Sequence, residues 1–92
     1  MADEYEDGNA LAGPLGEIFA VDVTTAVGTC ASCGRTGPVA SLRVYTRAPG
    51  WVGRCPDCEE VVLRYVRGPS DGWLDVRGAV SLRIPLPPDG DA

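Results

Sequence analysis

Four cysteines are the residues of this 92-residue chain best suited to chemistry. Cys30 and Cys33 form one C-x2-C pair, Cys55 and Cys58 a second, with residues 34 to 54 between them. Two thiols three positions apart in a tight turn converge on one tetrahedral ion, and a second pair on a returning hairpin completes a four-thiolate shell with Zn–S bonds of about 2.3 Å. A shell closed in this way leaves no position for water or substrate, so the ion it implies is structural. Its excess negative charge falls beside Arg35 and Arg54, each adjacent to a cysteine turn and placed to offset it. Gly34 directly follows Cys33, where a positive φ turns backbone N–H groups toward sulfur. Glu59 holds the same place after Cys58, which predicts a second turn that is strained or of another type.

Other uses of paired cysteines fit less well. Two disulfides require an exported chain, and the acidic opening Met1-Ala2-Asp3-Glu4-Tyr5-Glu6-Asp7-Gly8 lacks the basic start of a secretory leader. A thioredoxin-like redox centre places one pair at a helix N-terminus, whereas both pairs here sit among strand signals. Iron in four thiolates is geometrically as acceptable as zinc. One zinc ion is the expected cofactor, on frequency and on the hairpin geometry. The iron alternative is a rubredoxin-like electron carrier, whose Cys-Pro-x-Cys start matches Cys55 to Cys58 but whose following glycine is absent.

Composition disfavours catalysis. The chain has no histidine, and all eight basic residues are Arg, which removes the commonest general acid or base and any Schiff-base lysine. Asp57, Glu59 and Glu60 cluster after the second pair, but neighbouring positions at a strand start face opposite sides, so solubility is their expected role. No nucleophile-and-base pair can be assembled, and a non-enzymatic protein is expected. No apolar run approaches the ~20 residues of a membrane span, and a cytoplasmic location without membrane contact is expected. Abundant Ala, Gly, Val, Arg and Pro without Lys or Gln suggest a high-GC bacterial source.

The elements that must position the cysteines follow from patterning. Leu11, Leu15, Ile18 and Phe19 recur at helical spacing after Asn9, a suitable N-cap, and predict a helix over residues 10 to 21 with Pro14 in its first turn. Short apolar, β-branched runs then predict strands over 23–27, 39–47, 51–54, 61–67, 73–77 and 80–84, an antiparallel meander broken at Gly and Pro turns. A domain of this size buries only about 60 to 65% of the surface of its unfolded chain, so a staple such as a metal or disulfides is expected. The expected layout is a flexible acidic arm over residues 1–8, one domain over 9–86 and a flexible tail over 87–92. Residues 1–28 carry six acids and no base, whereas residues 29–86 carry eight Arg against five acids, and the tail adds Asp89 and Asp91 to reach the net charge of −5.

The pairs Cys30/Cys33-Gly34 and Cys55-Pro56-x-Cys58, flanked by short strands, resemble the zinc-ribbon class over residues 23 to 86. That resemblance implies a small, mostly-β fold: an antiparallel zinc-ribbon sheet, here with one N-terminal α-helix. The run Asp7-Gly8-Asn9-Ala10-Leu11-Ala12-Gly13-Pro14-Leu15, then Glu17-Ile18-Phe19-Ala20-Val21-Asp22-Val23-Thr24 and the cysteine pairs, is similar to an uncharacterised family of short four-cysteine proteins from high-GC bacteria. It implies a fold and a metal without an activity.

Two binding roles compete for such a scaffold. One is an interaction or adaptor module with a protein partner, its acidic arm suited to a basic surface. The other is a single-stranded nucleic-acid-binding ribbon in which Arg43, Tyr45, Arg47, Arg64, Trp73, Arg77 and Arg83 stack bases and contact phosphates. The nearly neutral balance of body and metal site opposes the second role, because phosphate binding normally shows a marked basic excess. Folding of acidic residues 3 to 7 over the Arg face, until a partner displaces them, would reconcile the two.

Overall fold

The computed structural model describes residues 5–46 and 49–86. Among the described residues eight short strands form two antiparallel sheets: β1 (Glu6–Asp7), β2 (Val27–Cys30), β3 (Thr36–Pro38), β4 (Arg43–Tyr45), β5 (Trp51–Arg54), β6 (Val61–Arg67), β7 (Gly72–Asp75) and β8 (Ala79–Arg83). The larger sheet runs β1-β4-β5-β6-β7 and the smaller β3-β2-β8. The fold is small, mostly β and antiparallel, with one short N-terminal helix, as expected. The expected single meander is instead divided between two sheets.

The helical segment is shorter than its apolar spacing predicts and begins earlier. The Asp7 carboxylate, not Asn9, is the cap: it accepts the Asn9 N–H at 3.0 Å and starts a 3-10 turn over Gly8–Leu11, which passes into α1 (Ala12–Leu15). Gly13, Pro14 and Gly16 supply little helix propensity, so the segment persists only where Leu11 and Leu15 are buried. Ile18, expected on the same apolar stripe, is 48% exposed beyond the helix end. Gly8 is required by proximity: a Cβ there would lie 1.8 Å from the Val39 carbonyl oxygen.

Two predicted strand starts are also 3-10 turns. Asp22 Oδ1 accepts from the Thr24 N–H at 3.1 Å and from the Thr24 hydroxyl at 2.6 Å, so Val23–Thr25 coils under its cap and the strand begins only at Val27. A carboxylate that offers local acceptors competes successfully with β-branched propensity. At Val39–Ser41 the Ser41 hydroxyl donates to the Pro38 carbonyl at 2.6 Å, and the strand predicted to start at residue 39 begins only at Arg43, with β4. The strand Thr36–Pro38 preceding it lies outside every predicted run.

The core joins helix, sheets and cysteines. Leu11, Leu15, Val23, Ala26, Val39, Leu42, Val44, Val62, Leu63 and Tyr65 bury together with Cys30 and Cys55. Val44, Gly53 and Leu63 lie in register across β4, β5 and β6 on the buried face. A bulge follows: Gly53 opposes Leu63 while Arg54 opposes Val61, leaving Val62 as an extra residue. Consecutive Val62 and Leu63 are therefore both buried, which simple alternation forbids.

Candidate metal centre

Each cysteine pair occupies the turn of a hairpin. The first joins β2 to β3, the second β5 to β6. The Cys30 N–H donates to the Arg35 carbonyl at 2.8 Å and the Gly34 N–H to the Cys30 carbonyl at 2.9 Å. The second turn repeats this pattern: Cys55 N–H to the Glu60 carbonyl and Glu59 N–H to the Cys55 carbonyl, both at 2.9 Å. The position after each second cysteine is left-handed, with φ of 81° at Gly34 and 68° at Glu59. The strained form of the second turn, one of two expected, is therefore the one adopted.

The four sulfurs converge. All lie within 4.8 Å of one another, with Cys30 to Cys58 at 3.6 Å and Cys33 to Cys55 at 3.7 Å. A tetrahedron with metal–sulfur bonds of about 2.3 Å has edges of about 3.8 Å, whereas a disulfide needs about 2.05 Å, so this spacing suits one ion and not two bridges. Cys30 and Cys55, the first of each pair, are buried; Cys58 is half-buried and Cys33 exposed. Cys30, Cys33, Cys55 and Cys58 are thus positioned to hold a metal ion.

Backbone donors prepare the sulfurs for negative charge. The Asp57 N–H approaches Cys55 Sγ at 3.4 Å. At Cys30 the N–H of Cys33 is the main influence, and it holds the thiol down to about 7 against burial. At Cys33 the Arg35 N–H also favours the thiolate, but burial and the neighbouring sulfurs of Cys55, Cys58 and Cys30 outweigh it and push the thiol up to about 12. Sulfurs this close cannot all ionise without a cation, so a metal held here would take the place of their protons.

The arginines expected to offset that charge act at one remove. Arg35 Nε meets Asp57 Oδ2 of the opposite turn at 3.3 Å, and its Nη1 donates to the Ser41 hydroxyl at 3.1 Å. Arg54 Nη1 donates to the Glu59 carbonyl at 2.9 Å. Asp57, read as a solubilising acid, is half of the ion pair that ties the two turns together; nothing in its sequence position signals this.

One family profile matches residues 2–87, which takes in the helical segment, both sheets and both cysteine turns. The chain belongs to DUF6510, a family of unknown function. No curated protein and no solved structure matches the chain. For a DUF6510 chain, family membership thus brings no activity with it, and any function rests on the site itself.

Of the Arg and aromatic residues expected to contact nucleic acid, the strand register groups four. Cross-strand register places Arg43, Tyr45, Arg64 and Trp73 on one face of the larger sheet, together with Arg54 opposite Arg43. Arg83 lies on β8 in the other sheet. Arg77 folds back on Asp75 in a fork with Nη2 to Oδ2 at 2.7 Å, holding that carboxyl down to about 2. Arg47 lies outside the described residues. Tyr5, absent from the expected set, joins the face: its ring sits 4.9 Å from the Arg43 guanidinium and 5.8 Å from the Tyr45 ring.

Proposed function

We propose that this protein is a zinc-ribbon interaction module: a structural zinc ion in a four-cysteine shell holds a small sheet that presents its surface to a protein partner. The convergence of four unbonded sulfurs carries this reading. Zinc is favoured because it takes tetrahedral thiolate shells without redox chemistry, and a core of this size needs the binding free energy to fold. A saturated shell has no coordination position for substrate, and the chain lacks His and Lys, which supports a non-enzymatic role. Free thiols match a reducing compartment, and a cytoplasmic site of action follows from the same reading.

Elemental analysis of natively purified protein tests the metal. Colourless protein with one zinc per chain is the expected result; red, iron-loaded protein would replace this reading with electron transfer. Affinity capture on the zinc-loaded chain, read by mass spectrometry, tests the role. Specific enrichment of a protein is expected, and enrichment of nucleic acid alone would overturn the adaptor reading.

A further inference from the structure

The outer edge of β4 is covered by a very small element. Among the described residues two of β1 pair with it, Glu6 opposite Val44 and Asp7 opposite Arg43. Tyr5, Glu6 and Asp7 are all exposed, Tyr5 at 46%. Yet their side chains are specific. The Tyr5 ring stands against Arg43 at 4.9 Å and against Tyr45 at 5.8 Å, and the Arg54 guanidinium lies 5.8 Å over the Tyr45 ring, so two adjoining rings are flanked by two cations in the order Arg43, Tyr5, Tyr45, Arg54. Immediately beyond, Gly8 is locked against the Val39 carbonyl and Asp7 caps the 3-10 turn. Gly8 is thus packed closely on the body, whereas Tyr5, Glu6 and Asp7 before it are exposed.

We propose that the β4 edge, with Arg43, Tyr45 and Arg54, is a docking site for an extended acidic segment of a partner protein carrying an aromatic residue, and that Tyr5–Asp7 occupies this site in cis. The proposal rests on the interaction-module reading above and names the partner's chemistry. An unpaired strand edge supplies main-chain donors and acceptors to an added strand, while side chains alongside it select the sequence. Here the selecting groups are guanidinium and phenol faces, which favour carboxylates and an aromatic ring. The chain's own strap displays that chemistry, with Asp3, Glu4, Glu6 and Asp7 around Tyr5. A polyphosphate strand fits less well: Glu59 lies 3.9 Å from Arg43, Asp75 lies opposite Arg64, and nucleic acid makes no use of the strand edge. A tethered occupant has an effective concentration of about millimolar, so a partner segment making the same contacts is held off until the strap lifts.

The probe is a fluorescein-labelled peptide reproducing residues 1–9, titrated into the metal-loaded full chain and into a strap-detached full chain carrying Tyr5→Ala and Glu6→Pro. The detached chain is expected to bind at least about tenfold more tightly than the parent, with binding weakened by salt and lost when Arg43→Glu is added. No peptide binding at millimolar concentration by a detached chain that keeps one metal per chain overturns the docking site. Tighter binding of an oligothymidylate strand than of the peptide overturns it in favour of nucleic acid. In the unmodified chain, which needs no variant to fold, millimolar peptide is expected to move the Glu6 and Asp7 amide signals in a 15N–1H spectrum while core signals stay; unmoved signals also overturn it. These failures leave the zinc-module reading standing, since that reading falls only if the native protein lacks zinc or captures no protein partner.

Discussion

The two cysteine turns share one hydrogen-bond pattern and differ at its tightest point. In the first, Gly34 adopts φ of 81°; in the second, Glu59 adopts 68° with a side chain attached. Left-handed backbone costs a residue with a Cβ roughly 1–2 kcal/mol, and such strain persists only where the surroundings impose it. At Glu59 those surroundings are visible: its N–H is bound by the Cys55 carbonyl, its carbonyl by Arg54, and Arg43 lies by its carboxylate. Gly34 shares the N–H bond, to the Cys30 carbonyl, but no side chain binds its carbonyl among the described residues, and a Cβ there would meet no atom within 4 Å. A turn can therefore reach the metal-binding geometry either through a permissive residue or through a constrained one.

The largest test of the comparison removes what both turns serve. Structural metal contributes on the order of 10 kcal/mol or more in small thiolate domains, similar to the whole stability of a domain this size. Stripping the metal with a chelator is expected to abolish the cooperative thermal transition in far-UV circular dichroism. Cys55→Ser, at a position 1% exposed, is expected to do the same even at saturating metal, because it removes a ligand and part of the core together. Cys33→Ser acts at an exposed ligand, so that variant is expected to retain a melt when metal is in excess. A metal-free chain melting where the loaded one does would sink the structural role. Metal affinity is also expected to rise with pH, since protons compete with the ion for the thiolates.

Exchanging the two turns at their differing position gives an intermediate effect. Gly34→Ala adds only the backbone penalty, since space is free, and is expected to cost about 1 kcal/mol in urea unfolding. Glu59→Gly relieves a similar strain but loses a weak contact to Arg43 and gains unfolded-chain entropy, so a net stabilisation of about 0.5 kcal/mol is expected. Equal destabilisation by both substitutions would show that Glu59 is not strained and that the turns are equivalent.

The centre is more legible in the sequence than the elements around it, for a physical reason. Ligand spacing is set by the ion's radius and the reach of a tight turn, so two C-x2-C pairs identify Cys30, Cys33, Cys55 and Cys58 from local information alone. The 51–54 and 61–67 strands are equally plain, because apolar runs there agree with tertiary pairing. Strands do not start at residues 23 and 39 because single side chains, Asp22 and Ser41, bend the backbone locally against the propensity of their neighbours. The helix predicted over 10–21 stops early because spacing reports which faces could bury, not how far burial continues past Leu15. Pairing of β1 with β4 has no local signature at all, since Glu6 and Asp7 join the sheet through Val44 and Arg43, far along the chain.

The smallest effect concerns how the two turns are tied. Arg35 reaches from the first turn to Asp57 in the second, whereas Arg54 donates to the Glu59 carbonyl of its own turn and lies over the Tyr45 ring of β4, without reaching the other turn among the described contacts. The Arg35–Asp57 pair is partly exposed, with Asp57 at 64%, and such pairs are worth about 0.2–1 kcal/mol. Arg35→Ala alone would overstate it, because the same guanidinium also donates to Ser41. A double-mutant cycle with Arg35→Ala and Asp57→Ala isolates the link, and the expected coupling of about 0.5 kcal/mol should shrink in concentrated salt. Arg54→Ala should instead show its loss mainly when Glu59 is present and little when Glu59→Gly has removed the strain. If Arg54→Ala costs the same in both backgrounds, the clamp on Glu59 is not what maintains its conformation, and the sulfurs of the second turn must impose it through the metal.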